Sequence, residues 1–450
     1  MTLERLRRAF EQAGTRELLA GAHGATTYAE WLSKVTRAPV EQVHAGDVVA
    51  CRIEATSLSI ASVWALLERK AIVALLGSAD DWTASCALVG ADWTLDQHGS
   101  LARTSLEVAR HPLYQELAQR GHPGLVLLTS GTTGVPKVAV HDADQLLGKF
   151  VRRGRDLRTL LFLPLEHIGG LDTLMYAMSN GSTLVIPESR SVEHVCAAIA
   201  AHRAEVLATN PSFLNLLLLH HASQTFDLTS LQVVSYGAEV MPQTTLDRIK
   251  TRLPDVKLVQ RYGSTEFGAL RTQARADGSA WLKWGADVES RVIDGRLYIK
   301  TATTMLGYLN ASSPVSDDGW VATGDSVEQD GDYFRILGRL SDIINVGGEK
   351  VFPIEVEDVL MQLPDVVDAV AFGEPNPLLG QVVSVQLVYR GEARGAELSA
   401  LVRRHCASKL ARYKVPMRVR AVEELARSAQ KKLRPHGAPG SSTGNGGSAR

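Results

Sequence analysis

Short runs of β-branched and other apolar residues alternate with longer amphipathic segments through the first 270 residues. The runs have the length of buried strands, and segments such as 191–203 and 244–252 place apolar residues at helical spacing. This alternation predicts parallel sheets with helices on both faces. The strands predicted in this way are residues 125–129, 159–163, 182–186, 206–208, 231–235 and 257–260.

The pattern changes after residue 270. Between about 270 and 340, short apolar runs are separated by Asp-Gly turns, which predict hairpins in a small β-rich unit. From 341 to about 435 strands and helices alternate in a compact α+β module, and residues 436–450 are Gly/Ser-rich with nothing to bury. We therefore predict an α/β protein with an N-terminal domain (1–340) of two doubly wound sheets plus a small β-barrel-like unit. A smaller C-terminal domain (341–435) and a disordered tail follow.

Charge and cysteine usage exclude several classes of protein. The 48 Lys and Arg residues balance 49 Asp and Glu residues, so the basic face needed by a nucleic-acid or membrane-surface protein is not expected. No apolar run is long enough to span a bilayer, and the N-terminus lacks the apolar core of a secretory signal. The four cysteines are far apart without a CxxC pair, as in a reducing compartment. We predict a cytoplasmic protein without a nucleic-acid or membrane partner.

A glycine-rich loop is the strongest local signal. A hydrophobic strand continues into Thr129-Ser130-Gly131-Thr132-Thr133-Gly134, which is followed by Pro136 and Lys137. Glycines allow backbone amides to converge, the hydroxyls add donors, and the lysine adds positive charge, so the segment predicts a phosphate-binding cradle. Walker spacing fails here and no GxGxxG fingerprint occurs, which disfavours a nicotinamide enzyme. An ordinary surface turn is the alternative.

From this loop onward the sequence resembles the adenylate-forming superfamily of acyl-CoA synthetases, peptide-synthetase adenylation domains and luciferases. The resemblance repeats in order across about 300 residues, and the wording GGEKVFPIEVE is most like that of free-standing acid:CoA ligases. The segments that carry it are residues 125–140, 163–170, 236–239, 262–266, 319–325, 338–339 and 345–357.

The resemblance implies that a carboxylic acid is activated by ATP as acyl-AMP with release of pyrophosphate, then transferred to the thiol of coenzyme A. Thr265 would donate to the α-phosphate, and Glu266 would hold Mg²⁺ through carboxylate oxygen. His167 would lie beside the acyl substrate, in a pocket near residues 210–213, 236–237 and 263–269; a packed or capping histidine is the alternative. The ATP- and AMP-binding residues implied are Thr129, Ser130, Gly131, Thr132, Thr133, Gly134, Lys137, Gly237, Ala238, Glu239, Tyr262, Gly263, Ser264, Thr265, Asp325, Arg339 and Lys432.

The C-terminal motif departs from the family pattern. Residues 426–432 read Ala-Arg-Ser-Ala-Gln-Lys-Lys, without the usual proline and Ser-Gly pair. Lys432 aligns without a gap as the catalytic lysine that bridges the carboxylate and the α-phosphate, and Lys431 is the alternative. Ser341 occupies the position of the hinge about which the mobile C-terminal domain turns. The acceptor-side loop implied after that rotation is Gly347, Gly348, Glu349 and Lys350.

Two other functions stay open on the sequence alone. The first is a pathway-specific adenylating enzyme that passes its acyl group to a carrier protein or an amine, or that activates an unusual small acid. The second is an inactive nucleotide-binding relative, because the lysine motif is altered. The sequence does not identify the acid or the oligomeric state.

Overall fold

The structure is a computed structural model that describes residues 2–77, 81–106, 109–129, 136–220, 225–277, 279–428 and 431–435. Residues 130–134 of the predicted phosphate loop and the predicted tail lie outside the described residues, as does the side chain of Lys431. The chain divides into two compact units. The larger contains Met1–Ala238, Ile249–Thr323 and Val327–Arg335, and the smaller contains Glu239–Arg248, Gly324–Ser326 and the described residues from Ile336 onward.

Several helices begin where a polar side chain accepts a hydrogen bond from one of their first backbone amides. The Thr27 hydroxyl accepts from the Glu30 amide in a capping box, and the Asn210 side chain accepts from the Phe213 amide ahead of Pro211. In the described part of the chain the helices are α1 (Thr2–Ala13), α2 (Tyr28–Thr36), α3 (Ser57–Glu68), α4 (Trp82–Val89), α5 (Pro112–Arg120), α6 (Ala143–Gly148), α7 (Ile168–Ser179), α8 (Val192–His202), α9 (Pro211–Leu219), α10 (Gln243–Arg252), α11 (Pro353–Leu360) and α12 (Gly395–Ala407).

The strands are short, and most are buried on at least one face. In chain order they are β1 (Glu17–Gly21), β2 (Thr26–Thr27), β3 (Val48–Arg52), β4 (Ile72–Leu76), β5 (Trp93–Leu95), β6 (Leu101–Arg103), β7 (Gly124–Thr129), β8 (Lys137–Asp142), β9 (Thr159–Leu160), β10 (Leu184–Ile186), β11 (Val206–Thr209), β12 (Val233–Tyr236), β13 (Lys257–Gln260), β14 (Tyr262–Ser264), β15 (Gly268–Leu270), β16 (Thr272–Ala274), β17 (Leu282–Trp284), β18 (Val288–Ile293), β19 (Arg296–Thr301), β20 (Gly307–Tyr308), β21 (Val321–Asp330), β22 (Tyr333–Arg339), β23 (Ile344–Val346), β24 (Glu349–Val351), β25 (Val366–Asn376), β26 (Gly380–Tyr389), β27 (Arg418–Ala421), β28 (Arg427–Ser428) and β29 (Lys431–Lys432).

Two seven-stranded sheets organise the larger unit. One has the order β13-β12-β11-β9-β10-β1-β2, in which all neighbours but the last are parallel. The other has the order β20-β8-β7-β4-β3-β5-β6, with a parallel centre and antiparallel outer strands. A six-stranded sheet, β16-β17-β22-β21-β19-β18, follows, and Asp294-Gly295 forms the predicted turn between β18 and β19. The predicted α/β class with several sheets is confirmed.

The smaller unit has its own core. Strands β24-β23-β26-β25 form a sheet to which β27 adds in parallel, and α11 and α12 bury apolar side chains against it. The hairpin β28–β29 pairs Arg427 with Lys432. The predicted smaller α+β domain after the large one is confirmed.

All four cysteines are buried: Cys51, Cys86, Cys196 and Cys406. Burial raises the pKa of each thiol, to about 12 for Cys196 and about 11 for Cys406. Among the helices that the structure describes, none is both long and apolar enough to cross a membrane.

Candidate active site

The carboxyl ends of three adjacent parallel strands meet at one edge of the first sheet. Thr209, Tyr236 and Gln260 end β11, β12 and β13 and are paired in register. Ligands of open α/β sheets bind at such edges. The Thr209 Oγ1, Gln260 Oε1 and Ser264 Oγ atoms are buried and have no hydrogen-bond partner within the described part of the chain. Buried polar atoms of this kind are normally satisfied, so this edge has the donor and acceptor capacity that a bound ligand would use.

The turn after β12 lies close to the end of β13. A Cβ atom on Gly237 would come within 2.8 Å of the Arg261 carbonyl oxygen, so only glycine fits there without a shift. Ala238 has φ +67°, a left-handed conformation that side chains disfavour. Burial raises the pKa of the neighbouring Tyr236 to about 12, so its phenol is neutral. The predicted contact of this turn with adenine stays a prediction, and the turn packs tightly against the strand end at Arg261.

The hairpin β14–β15 carries the most specific sequence motif at its turn. Thr265 and Glu266 lie between Ser264 and the left-handed Gly268, whose φ is +74°. A Cβ on Gly263 would approach the Gly268 oxygen to 2.5 Å, so the two strands are unusually close. The backbone amide of Met305 donates to the Glu266 oxygen at 2.7 Å, which fixes the turn from outside the hairpin.

Tyr308 connects the predicted metal ligand to the predicted phosphate lysine. Its hydroxyl donates to Glu266 Oε1 at 2.5 Å, a short charge-assisted bond. The Lys137 ammonium lies 5.4 Å from the centroid of the Tyr308 ring, within cation–π distance. One side chain therefore orients the carboxylate and contacts the lysine. Sequence analysis did not predict this residue.

The strand that carries Tyr308 also fixes the base of the glycine-rich loop. β20 pairs antiparallel with β8, and the Asn310 side chain donates to the Pro136 oxygen at 2.8 Å and accepts from the Val138 amide at 3.0 Å. Across the loop, Thr129 and Lys137 are paired on β7 and β8. The structure thus brings Lys137, which follows the loop, to the tyrosine that contacts Glu266, and the roles of the loop residues stay predictions.

His141 lies on β8 beneath this motif and is 1% exposed. Burial lowers its pKa to about 4, and the weaker opposing effect of the Glu266 carboxylate does not compensate. The imidazole is therefore neutral near pH 7 and adds no charge next to the predicted metal ligand.

His167 is the N-cap residue of α7, and its side chain is exposed and makes no capping hydrogen bond. It is therefore neither packed nor capping, and its predicted role beside the acyl group stays a prediction.

Within the smaller unit, the structure brings Asp325 and Arg339 together. The Arg339 Nε atom lies 2.9 Å from Asp325 Oδ1, and Asp325 is 6% exposed. The ion pair orients the Asp325 carboxylate through one oxygen. An ionised carboxylate is an acceptor only, as the predicted binding of two ribose hydroxyls requires. Glu239 accepts a hydrogen bond from the Lys432 amide at 3.2 Å.

The Lys432 ammonium is bound inside the smaller unit. Its Nζ lies 2.6 Å from Asp368 Oδ1 and donates to the Ala369 oxygen at 3.0 Å, while Arg427 also contacts Asp368. The carboxylate that receives both cations is 2% exposed. Lys432 is thus held by a buried acid in this structure, and its catalytic role stays a prediction.

The predicted hinge and acceptor-side loop have ordinary local structure. Ser341 lies in the 3₁₀ turn Leu340–Asp342, and its hydroxyl donates to Asp342 Oδ1 at 2.9 Å. Gly347 and Gly348 have φ of +60° and +94°, which joins β23 to β24 in a tight turn. Glu349 and Lys350 are exposed on β24.

Two family models match the chain. Residues 2–309 match the family described as AMP-binding enzyme, and residues 355–432 match the AMP-binding enzyme C-terminal domain. The chain belongs to the AMP-binding enzyme family.

Three similar proteins illustrate the relationship. The chain is 31% identical over 340 residues to indoleacetate–CoA ligase of Aromatoleum aromaticum, covering 69% of this chain and 66% of that protein. It is 29% identical over 328 residues to 2-succinylbenzoate–CoA ligase of Staphylococcus aureus, covering 68% and 65%. The crystal structure of the anthranilate CoA ligase AuaEII with anthranoyl-AMP superposes with a TM-score of 0.82 at 20% identity, over 96% of this chain and 95% of that one. The chain spans slightly less than two thirds of the length of the two ligases matched by sequence.

Proposed function

We propose that this protein activates a carboxylic acid with ATP and transfers the acyl group to the thiol of coenzyme A. The observation that carries the proposal is the contact of Tyr308 with both Glu266 and Lys137. This contact connects the predicted Mg²⁺ ligand to the lysine that follows the predicted phosphate-binding loop. The similarity to indoleacetate–CoA and 2-succinylbenzoate–CoA ligases supports the choice of a carboxylic acid as substrate and of coenzyme A as acceptor.

In the first step, a carboxylate oxygen of the acid attacks the α-phosphorus of ATP. The new bond is the mixed anhydride of acyl-AMP, and the bond to the β-phosphate oxygen breaks with release of pyrophosphate. Thr129 and Lys137, with the loop residues Ser130 to Gly134, hold the β- and γ-phosphates, and Thr265 donates to the α-phosphate. The acid gains a good leaving group, AMP, in place of an oxyanion that does not leave.

Glu266 fits the Mg²⁺ that this reaction needs. Its carboxylate is oriented by Tyr308, and no cluster of three or more metal-ligating side chains occurs in the described part of the chain. A single protein carboxylate suits Mg²⁺, which takes most of its other ligands from substrate phosphates and water. When bound, the ion would neutralise part of the negative charge of the phosphates.

The second step requires the lysine to leave the reacting centre. Lys432 stabilises the α-phosphate during adenylation, and rotation about Ser341 then replaces it with the Gly347–Lys350 loop next to the acceptor thiol. The thiolate sulfur attacks the acyl carbon, and AMP departs with the bonding electrons. The pairing of Lys432 with Asp368 supports a lysine that exchanges partners, because the carboxylate gives the ammonium a stable partner when no phosphate is bound.

Pyrophosphate exchange tests the proposal. With a panel of aryl, short-chain and amino acids, at least one acid should support exchange of labelled pyrophosphate into ATP and give a hydroxamate with hydroxylamine. Addition of coenzyme A should then yield thioester, whereas a holo carrier protein or an amine should not. If none of the acids supports exchange, the proposed activity is refuted. Transfer to the carrier protein or the amine, but not to coenzyme A, would replace the acceptor. We place the enzyme in the cytoplasm.

A further inference from the structure

A cluster of charged side chains lies where α7 meets the hairpin β14–β15. The Lys149 ammonium is 2.8 Å from Asp172 Oδ2 and donates to the Ala269 oxygen at 3.2 Å. The same Asp172 oxygen accepts from the Ala269 amide at 2.6 Å. Asp172 is 8% exposed, and its Oδ1 atom has no hydrogen-bond partner within the described part of the chain. The Asp172 carboxylate therefore binds Lys149 through one oxygen, and no donor among the described residues reaches the other.

Arg261 adds a second cation to this cluster without an acidic partner. Its guanidinium makes one hydrogen bond, from Nε to Ser235 Oγ at 3.4 Å, and no carboxylate of the described residues lies within ion-pair distance. Burial lowers its pKa, the Tyr176 phenol and the Asp172 carboxylate only partly offset this effect, and the positive charge of Arg271 adds to it. A largely buried guanidinium without an anion is costly, and such cations are retained where a ligand supplies the anion.

The backbone of Arg261 adjoins the predicted acid pocket at Tyr236 and Gly237. Its amide donates to the Tyr236 oxygen at 2.7 Å, and its carbonyl lies against Gly237, so it is fixed to the strand edge. Thr265 is four residues away along the hairpin, which corresponds to about 13 Å of extended chain. If Thr265 marks the reacting carboxylate, Arg261 faces a part of the acid several bonds away from it.

We propose that Arg261 binds a second anionic group on the acid, so that the substrate is a dicarboxylate or another acid with a distal negative charge. The inference rests on the proposed function, because it assumes that this pocket receives the acid. The net positive charge of Lys149, Arg261 and Arg271 against the single carboxylate of Asp172 favours an anion over a cationic or wholly apolar group.

Matched acids test the inference in the pyrophosphate exchange assay. The pairs are adipate with hexanoate, and 3-(2-carboxyphenyl)propanoate with 3-phenylpropanoate. For the intact chain, kcat/KM should be at least about 10-fold higher for the diacid of one pair. Arg261→Gln should remove that preference through the KM of the diacid and change the monoacid by less than about 3-fold, and Arg261→Lys should keep part of it. Arg275→Gln is the control, because Arg275 is paired with Asp330 at 2.7 Å on the surface.

The outcomes separate the two proposals. Exchange that favours the monoacids, or an Arg261→Gln variant that loses both members of a pair equally, would overturn the anion site and leave the proposed activity intact. If none of the acids supports exchange, the proposed activity itself is refuted. A lower melting temperature in Arg261→Gln, together with a preference for the diacid that is unchanged in that same variant, would assign the arginine a structural role and overturn the inference.

Discussion

Removal of one hydroxyl should separate the two contacts of Tyr308. Tyr308→Phe keeps the ring against Lys137 but deletes the donor to Glu266, whose backbone stays fixed by Met305. A hydrogen bond to a charged group contributes about 1.5–3 kcal/mol. If all of it is expressed in the transition state, kcat/KM for ATP falls about 10- to 150-fold. Water can replace part of the lost bond at a half-buried carboxylate, so we expect the lower end of this range.

The assay is pyrophosphate exchange over a range of Mg²⁺ concentrations. The concentration of Mg²⁺ at half-maximal rate should rise in Tyr308→Phe, because a carboxylate without its donor samples more rotamers. Tyr308→Leu should lose a further 0.5–2 kcal/mol, about the value of a cation–π contact with Lys137. Tyr298→Phe is the matched control, since the Tyr298 hydroxyl makes no hydrogen bond in the described part of the chain and its ring contacts Arg291. Unchanged ATP and Mg²⁺ titrations in Tyr308→Phe would refute the reasoning.

Three further predictions address other parts of the site. Asp325→Ala should weaken the binding of ATP by about 1–3 kcal/mol, which appears as a higher KM for ATP, because the ribose hydroxyls lose their acceptor. An unaltered ATP titration would contradict the assignment. Lys432→Ala should lower the kcat of adenylation by a factor of about 10²–10³, yet it should form thioester from synthetic acyl-adenylate and coenzyme A at near the original rate. If Lys432→Ala keeps full exchange activity and Lys431→Ala loses it, the catalytic role moves to Lys431. Because burial lowers the folded pKa of His141 to about 4 while the unfolded value is about 6.5, stability should be unaffected above about pH 6.5 and fall as the pH drops below it. The loss is about 1.4 kcal/mol between about pH 7.5 and 5.5, measured by denaturant unfolding, and an equal loss in His141→Gln would exclude this histidine as its source.

The elements that the sequence predicted well are those whose signal is local. Strand β13 has the predicted bounds, 257–260, and the predicted helices 191–203 and 244–252 differ by one residue at their ends from α8 and α10. Three strands differ more: 159–163 is shorter in the structure, and 182–186 and 231–235 each begin two residues later. These borders depend on where neighbouring parallel strands stop pairing, which no local pattern contains.

The residues that sequence reasoning missed depend on distant pairing. Tyr308 and Asn310 act because β20 adds to β8, about 170 positions earlier in the chain, and nothing in the Gly307-Tyr308 dipeptide indicates that partner. Arg261 directly precedes the recognised motif at residues 262–266 but is not part of it. Only the contact of its strand end with the turn at Gly237, and the absence of an acidic partner among the described residues, distinguish it from a surface arginine.

The burial of every native thiol makes the chain a convenient host for site-directed labels. With the pKa of each cysteine raised, the thiolate that reacts with maleimides is scarce at neutral pH and sterically covered. A cysteine introduced at Glu349 and another at exposed Arg37 should therefore take up fluorophores without removal of the native four. Single-molecule energy transfer between such dyes would test the proposed rotation about Ser341 during turnover, as ATP, acid and coenzyme A are added one at a time.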